Sequence, residues 1–287
     1  MTKENTTIGV IGLGVMGSSM ARNLAKGGYR VLACSRTQSK AESLQADGII
    51  PSSLRELASQ CPVVVLSVTD GAAVEGVLFG ENGIANQLQT NSLIIDTTTI
   101  APSEAASVAA RCAELGLRFL DAPVTGGDVG ARNATLTIMC GGTAESFQAA
   151  QPVLQLLGKK IVHVGESGSG QMMKAVNQVA IGLGIVAMTE ALLLAESRGL
   201  DPAMALDILQ GGAAGSWALS NYAPRLLAGD LKPGFDAAHM LKDLKIALQA
   251  ASGRCELPGL ATTATLFEKL VATRSGVGNH ALMEAYR

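Results

Sequence analysis

The feature that most constrains this chain is a change of periodicity. Up to about residue 165, short runs of Val, Ile and Leu alternate with amphipathic runs closed by glycine; beyond it no strand-like run recurs. The pattern predicts strands at Thr7–Gly12, Tyr29–Cys34, Cys61–Val68, Ser92–Asp96, Arg118–Asp121, Thr135–Cys140 and Lys160–Val164. Helices are predicted at Met16–Lys26, Thr37–Ala46, Ser103–Leu115 (Ser103 as N-cap, Gly116 as stop) and Ala144–Leu157. The contiguous Val63-Val64-Val65 implies a strand buried on both faces. Such alternation specifies an α/β fold on a doubly wound parallel sheet.

The remainder reads as helix. One pattern without proline runs from Gly170 to Arg198, on the order of 40 Å long. Asp201-Pro202 then supplies an N-cap and a first-turn proline for a helix ending at Gly211-Gly212. Further helices are predicted at Ser216–Ala228, Ala237–Ser252, Leu260–Thr273 and Asn279–Tyr286. This divides the chain into an α/β domain at 1–164 and an all-α domain at 165–287, with 170–198 a long connecting helix. The uncharged stretch Ala175–Thr189 is shorter than the roughly 20 residues of a bilayer span and reads as a buried helix. Lys3 followed by the apolar run Ile8–Met16 mimics a short signal peptide, but glycines interrupt the run and no small-residue cleavage site follows. A cytoplasmic protein with no membrane partner is expected.

Composition narrows the function classes. Hydrophobic residues make up 48 % and charged residues 16 %, which excludes disorder and implies extensive packing or a subunit interface. A formal charge of −2 and a 3 % aromatic content leave little for gripping nucleic acid. Five cysteines without a Cys-x-x-Cys read as reduced thiols. His163, His239 and His280 are scattered, so no metal site is expected. Ser167, in Gly-Glu-Ser-Gly-Ser, lacks the closing glycine of a hydrolase elbow.

The first predicted strand runs straight into Gly12-Leu13-Gly14-Val15-Met16-Gly17, and a helix follows. This is the dinucleotide fingerprint in its required context: a tight turn, a close backbone approach to pyrophosphate, then close helix–strand packing. The free N–H groups of the helix N-terminus would face the phosphates. After the second strand an NAD site would carry a carboxylate for the ribose hydroxyls. Here the residues are Ser35-Arg36-Thr37, and a guanidinium suits a 2′-phosphate. NADP(H) is therefore the expected preference and NAD(H) remains possible, the alternative being an Arg36 that stacks on adenine in a site serving both.

A second glycine cluster, Gly165-Glu-Ser-Gly168-Ser-Gly170, opens the long helix and leads to Lys174 and Asn177 on one face. Met173, Val176, Val179, Ala180 and Ile181 around them suggest a buried turn. A buried lysine has the lowered pKa that general acid–base work near neutrality needs. The alternative is a lysine whose stem is covered and whose ammonium reaches water.

Gly12–Gly17 with Met20-Ala-Arg-Asn-Leu24, Asp121-Ala-Pro-Val-Thr-Gly-Gly127, Gly165…Gly170-x-x-x-Lys174-x-x-Asn177, and Phe235…Lys242-Asp243-Leu244 together resemble the β-hydroxyacid dehydrogenase family, of 3-hydroxyisobutyrate dehydrogenase and tartronate semialdehyde reductase type, over essentially the whole chain. The resemblance implies a Rossmann-type domain, a connecting helix and a helical domain carrying dimer contacts, in a homodimer or homotetramer. It implies Lys174 as proton donor to a carbonyl oxygen and Asn177 as the residue that holds substrate and orients the lysine. Thr125, Gly126 and Gly127 would grip a substrate carboxylate. Lys242 would lie near the cofactor with Asp243 fixing the geometry, and Val68, Thr69 and Thr99 would lie by the nicotinamide. Ser216-Trp217 is a candidate wall of the substrate pocket, with a core or interface position the equal alternative for Trp217. Three departures stand out: Thr125 where serine is usual, Asn133 near a position often glycine, and Gln178 after Asn177 where some members have a second asparagine. Asn133 would have to take positive φ there.

The expected substrate is a small carboxylate-bearing aldehyde or its alcohol: tartronate semialdehyde, glyoxylate, succinic semialdehyde or methylmalonate semialdehyde. The alternatives are an NAD-dependent 3-hydroxyisobutyrate dehydrogenase and a non-catalytic dinucleotide-binding module. Lys174 argues against the second, and against imine reductases, which replace that lysine.

Overall fold

Glycine-punctuated alternation in the first half folds into a single sheet in the computed structural model, which describes residues 6–287; Lys3 lies outside them. The strands are β1 (Thr7–Ile11), β2 (Arg30–Cys34), β3 (Ile50–Pro51), β4 (Val63–Leu66), β5 (Leu93–Asp96), β6 (Arg118–Asp121), β7 (Val124–Thr125), β8 (Leu136–Gly141) and β9 (Gly158–Gly165). The helices of this unit are α1 (Val15–Lys26), α2 (Gln38–Glu42), α3 (Leu54–Gln60), α4 (Gly71–Phe79), α5 (Pro102–Glu114), α6 (Gly127–Arg132) and α7 (Ala144–Leu154). The order β3-β2-β1-β4-β5-β6 is parallel throughout, the doubly wound arrangement. Beyond β6 the sheet is mixed, not parallel as expected. β8 runs antiparallel to β6 and β7, and β9 parallel to β8. The 122–135 connection holds only the two-residue β7 and the six-residue α6, too little helix for a parallel crossover.

Alternate residues of the central strands feed two cores. Val10, Val65 and Ile95 pack with Met20 and Leu24 of α1 and Leu154 of α7. Ile11, Val64 and Ile94 pack with Leu57 of α3, Leu78 of α4 and Val108 of α5. Both faces are covered, which is why Val63–Val65 has no polar alternation.

Several local expectations change. α3 and α4 were not legible as helices, although Ser53 and Glu56 form a capping box on α3 and Asp70 accepts from Ala73 N–H at 2.8 Å on α4. α5 starts at Pro102, not Ser103. Proline fills the first position, and the Glu104 carboxylate accepts the Ala101 N–H at 2.8 Å. The predicted helix at Thr37–Ala46 splits into α2 and a 3-10 turn at Gln45–Asp47. Asn133 has φ −91, and the left-handed residue is its neighbour Ala134, at φ 54.

The chain divides between Lys174 and Ala175, within α8 (Ser169–Ser197, 29 residues). The second unit adds α9 (Pro202–Gly211), α10 (Trp217–Asn221), α11 (Ala223–Leu227), α12 (Ala237–Ala251), α13 (Pro258–Thr273) and a 3-10 segment at Asn279–Ala285. The expected helix at Ser216–Ala228 breaks at Tyr222, and Asn279–Tyr286 is 3-10 rather than α. Pro224, with no N–H to give, sits in the first turn of α11. Ile185, Met188 and Leu192 of α8 pack with Met240 and Leu244 of α12 and Phe267 and Leu270 of α13.

α8 is not the buried helix expected. Met173, Val176, Ala180, Leu183, Ala187, Glu190 and Leu194 are exposed at alternating spacings of three and four, a stripe along one face that is apolar except at Glu190. By length and composition alone α8 is long and apolar enough to cross a bilayer. Its packed face instead carries Gln171, Lys174, Gln178 and Thr189 among apolar side chains.

Candidate active site

The carboxyl ends of the parallel strands collect the predicted cofactor residues. The strand order reverses between β1 and β4, and ligands of open α/β sheets bind outside the strand ends at such a point. Hydrogen bonds tie the loops together there. Gly12 N–H donates to Cys34 O at 3.0 Å, Ser67 N–H to Ile11 O at 2.9 Å and Thr97 N–H to Leu66 O at 2.9 Å. Val68 N–H donates to Thr98 Oγ1 at 3.1 Å. Gly12–Gly17, Ser35–Thr37, Val68–Thr69 and Thr97–Thr99 thus line one edge.

The three fingerprint glycines have separable causes. A Cβ on Gly12, at φ +92, would lie 2.2 Å from Ser67 O; one on Gly17 would lie 1.9 Å from Gly12 O. Backbone packing excludes side chains at both. Gly14 is different: it is extended (φ −73, ψ −170), and its Cβ would meet no atom within 4 Å. The protein does not need glycine at 14 for itself, which is what a cradle for a close-lying pyrophosphate predicts. Gly14 also begins α1 without any side-chain cap, and the first turn of α1 has no acidic residue. The residues present therefore fit a dinucleotide.

At the end of β2, Thr37 N–H donates to Ser35 Oγ at 3.4 Å. Arg36 is exposed, with no hydrogen bond or ion pair to the described residues. The neighbouring Cys34 thiol is pushed up by burial. Cys61, Cys112 and Cys140, also buried, are pushed up to about 12 by desolvation and are inert as nucleophiles.

The start of α8 is fixed by a residue whose role the sequence did not disclose. Asp121, at the end of β6, is fully buried and accepts Gly168 N–H at 2.8 Å and Gln171 N–H at 2.9 Å. Cβ atoms at Gly141 and Gly170 would come within 2.7–2.8 Å of its carboxylate oxygens, so both glycines make room for it. Desolvation pushes its carboxyl up to about 6, against the lowering effect of these N–H donors. The Gln171 side chain, also fully buried, donates to Thr98 O at 2.7 Å and accepts Ile100 N–H at 3.2 Å. One turn on, Lys174 is 6 % exposed. That burial argues against the solvated-lysine alternative. Gly126 and Gly127 follow Thr125 at φ +127 and +65, a backbone that L side chains avoid.

In the second unit, Asn177 and Gln178 open α8's share. Asn177 Oδ1 is buried with no hydrogen-bond partner among the described residues. Gln178 Nε2 donates to Asp243 Oδ2 at 2.6 Å, and Lys242 Nζ lies 3.2 Å from Asp243 Oδ1. A second asparagine at 178 would be one methylene short of this bond, a contact that no spacing rule reveals. Trp217 is 50 % exposed and meets Tyr222 edge-on at a centroid distance of 4.8 Å, so a core position is excluded. Among the described residues no cluster of three or more His, Cys, Asp or Glu could hold a metal.

Comparison with known proteins bears on both units. Residues 7–165 match the family described as the NAD binding domain of 6-phosphogluconate dehydrogenase. Residues 168–286 match that described as NAD-binding of NADP-dependent 3-hydroxyisobutyrate dehydrogenase. The chain is 45 % identical to an uncharacterized oxidoreductase of Bacillus subtilis, over 93 % of each chain. It is 38 % identical to the 2-hydroxy-3-oxopropionate reductase of Escherichia coli, over 97 % of this chain and 96 % of that one. Among solved structures, Mycobacterium tuberculosis 3-hydroxyisobutyrate dehydrogenase with L-serine superposes with a TM-score of 0.88 at 31 % identity, over 98 % of this chain and 99 % of that one.

Proposed function

The chain belongs to the β-hydroxyacid dehydrogenase family and is an NAD(P)-dependent oxidoreductase of hydroxy acids and semialdehydes, and from that premise we propose that it reduces a short aldehyde acid to its hydroxy acid, prefers NADP(H), and uses Lys174 as general acid. The observation that carries the proposal is a lysine, Lys174, at 6 % exposure on the packed face of α8, one helical turn from a tethered loop at the sheet's carboxyl edge.

Gly12–Gly17 and the N-terminus of α1 would hold the pyrophosphate, with Val68, Thr69 and Thr99 towards the nicotinamide and Lys242 beside the cofactor. Ser35, Arg36 and Thr37 would hold the 2′-phosphate; the exposed guanidinium, with no partner among the described residues to give up, supports NADP(H). When bound, the reduced cofactor supplies a hydride to the carbonyl carbon. Lys174 donates a proton from Nζ to the carbonyl oxygen, becomes a neutral amine and is reprotonated from solvent; the reverse direction runs these transfers backwards. The unpartnered Oδ1 of Asn177 is an acceptor suited to a hydroxyl donor on substrate. Thr125 Oγ1 and the backbone N–H groups of Gly126 and Gly127 receive the carboxylate, Asp243 fixes Lys242, and Trp217 walls the substrate site. The names 2-hydroxy-3-oxopropionate reductase, L-threonate dehydrogenase and 3-hydroxyisobutyrate dehydrogenase favour C3–C4 acids; we follow the first, because Gln178 in place of a second asparagine resembles the tartronate semialdehyde reductase branch.

Lys174→Ala should lower turnover about 10²–10⁴-fold with NADPH binding intact. A variant retaining more than about a tenth of turnover would remove the general acid from the mechanism. A panel of C2–C4 aldehyde acids, assayed with both cofactors, identifies the substrate. The exposed stripe of α8 supports a homodimer or homotetramer; a cytoplasmic location with neither nucleic acid nor membrane as partner is proposed with it on composition alone. Leu183→Glu should then lower the mass found by sedimentation, and a monomeric parent would refute it.

A further inference from the structure

Gln171 is fully buried and spends both halves of its amide on one backbone segment. Its Nε2 donates to Thr98 O at 2.7 Å and its Oε1 accepts Ile100 N–H at 3.2 Å. Thr98 and Ile100 are themselves 3 % and 1 % exposed, so water cannot replace the amide if it is removed. Between them, Thr99 is the residue of the run from Ser92 to Ala101 that is partly exposed. The far side of the clamp is equally firm: Gln171 N–H is held by Asp121 Oδ2 at 2.9 Å, and Asp121 also holds Gly168 N–H. Three residues further, Lys174 projects from the same face of α8. The amide therefore joins the loop after β5 to the turn that carries the lysine.

We propose that Gln171 is a positioning residue: its two hydrogen bonds to the 98–100 backbone hold Thr99 and Lys174 in fixed register, and turnover depends on both bonds. The proposal rests on the reading of Lys174 as general acid. Gln171 is fully buried, with both ends of its amide on the 98–100 backbone, so it acts through the residues it holds. Its effect is on the geometry of proton delivery, where a displacement of about 1 Å can cost about a hundredfold.

Gln171→Met keeps the length and loses both bonds. It should lower kcat by about 10- to 100-fold while the NADPH dissociation constant changes far less, because the glycine loop that holds the pyrophosphate is untouched and only Thr99 at the nicotinamide end is released. Gln171→Glu gives a reversible control on one sample. A protonated carboxyl donates to Thr98 O and accepts from Ile100 N–H, as the amide does; an ionised one faces the Thr98 carbonyl with lone pairs only. Its kcat should climb towards wild type as pH falls. Asp96, Asp121 and Lys174 are also ionisable groups on the elements around the clamp, so this acid-favoured limb is read against wild type and Gln171→Met, with circular dichroism confirming the fold at each pH. Hydrogen exchange at the Ile100 amide tests the clamp apart from catalysis, and should quicken in Gln171→Met. Wild-type kcat in both variants, or unchanged Ile100 exchange, overturns the proposal. If instead Lys174→Ala keeps turnover while Gln171→Met loses it and quickens exchange, the general acid is misassigned and the clamp stands.

Discussion

Replacing Gly14 and Gly17 separately by alanine tests what each glycine is for. Gly17 lies where a Cβ would stand 1.9 Å from Gly12 O and 3.2 Å from Ser67 Cβ, so α1 must move off the sheet to admit one. Gly17→Ala should destabilise the apo protein by about 1–3 kcal/mol, the usual cost of overpacking. Gly14 is extended and its Cβ would meet no atom within 4 Å. Gly14→Ala should leave the apo fold intact, or stabilise it by about 0.4–1 kcal/mol through the less flexible unfolded chain. The added methyl would stand where a pyrophosphate must approach. An overpacking penalty of about 1–3 kcal/mol there corresponds to roughly 5- to 150-fold weaker binding. NADPH and NADH should suffer alike, since both carry the pyrophosphate. Urea unfolding of the apo protein and fluorescence titration with each cofactor read the two effects separately. A lowered urea midpoint for Gly14→Ala, or wild-type affinity for both cofactors, would refute the cradle.

Arg36→Glu should weaken NADPH binding by about one to two orders of magnitude, the worth of a charge-assisted hydrogen bond, and NADH binding far less; equal losses in paired titrations would defeat the 2′-phosphate assignment. Asp121 gives a pH signature. Its carboxyl is raised from 3.8 to about 6 in the fold, so its stabilising contribution is present below about pH 4 and lost as pH rises through 6. Between those limits the wild type should lose up to about 3 kcal/mol relative to Asp121→Asn, and identical urea-stability profiles from pH 4 to 7 would contradict the desolvation account. Ala134→Gly should stabilise by about 0.5–1 kcal/mol, because relief of a left-handed alanine exceeds the extra chain entropy of glycine. Asn133→Gly, at φ −91, should give no gain, and a larger gain at 133 than at 134 would reverse the assignment.

Periodicity and punctuation determined the coarse architecture. Val63–Val65 announced a strand covered on both sides, glycines closed helices at Gly27 and Gly116, and Asp201-Pro202 opened α9 where it was predicted. These are local effects of backbone freedom, capping and alternation, each read from a few neighbouring residues. The fingerprint at Gly12–Gly17 was legible for the same reason, and so was the missing carboxylate at Ser35–Thr37. What the sequence left open depends on partners distant along the chain. Asp121 gains its role from Gly168 and Gln171, 47 and 50 residues away, and Gln171 from a loop 71 to 73 residues before it. Gln178 acquires Asp243 across 65 residues. The same holds for solvent: the sequence reads the whole turn around Lys174 as buried, but only packing decides that Lys174 is buried while Val176 is 54 % exposed. Local conformational preference is written in adjacent residues. Desolvation and hydrogen-bond partnership arise only when the chain has closed on itself, and the site chemistry rests on those.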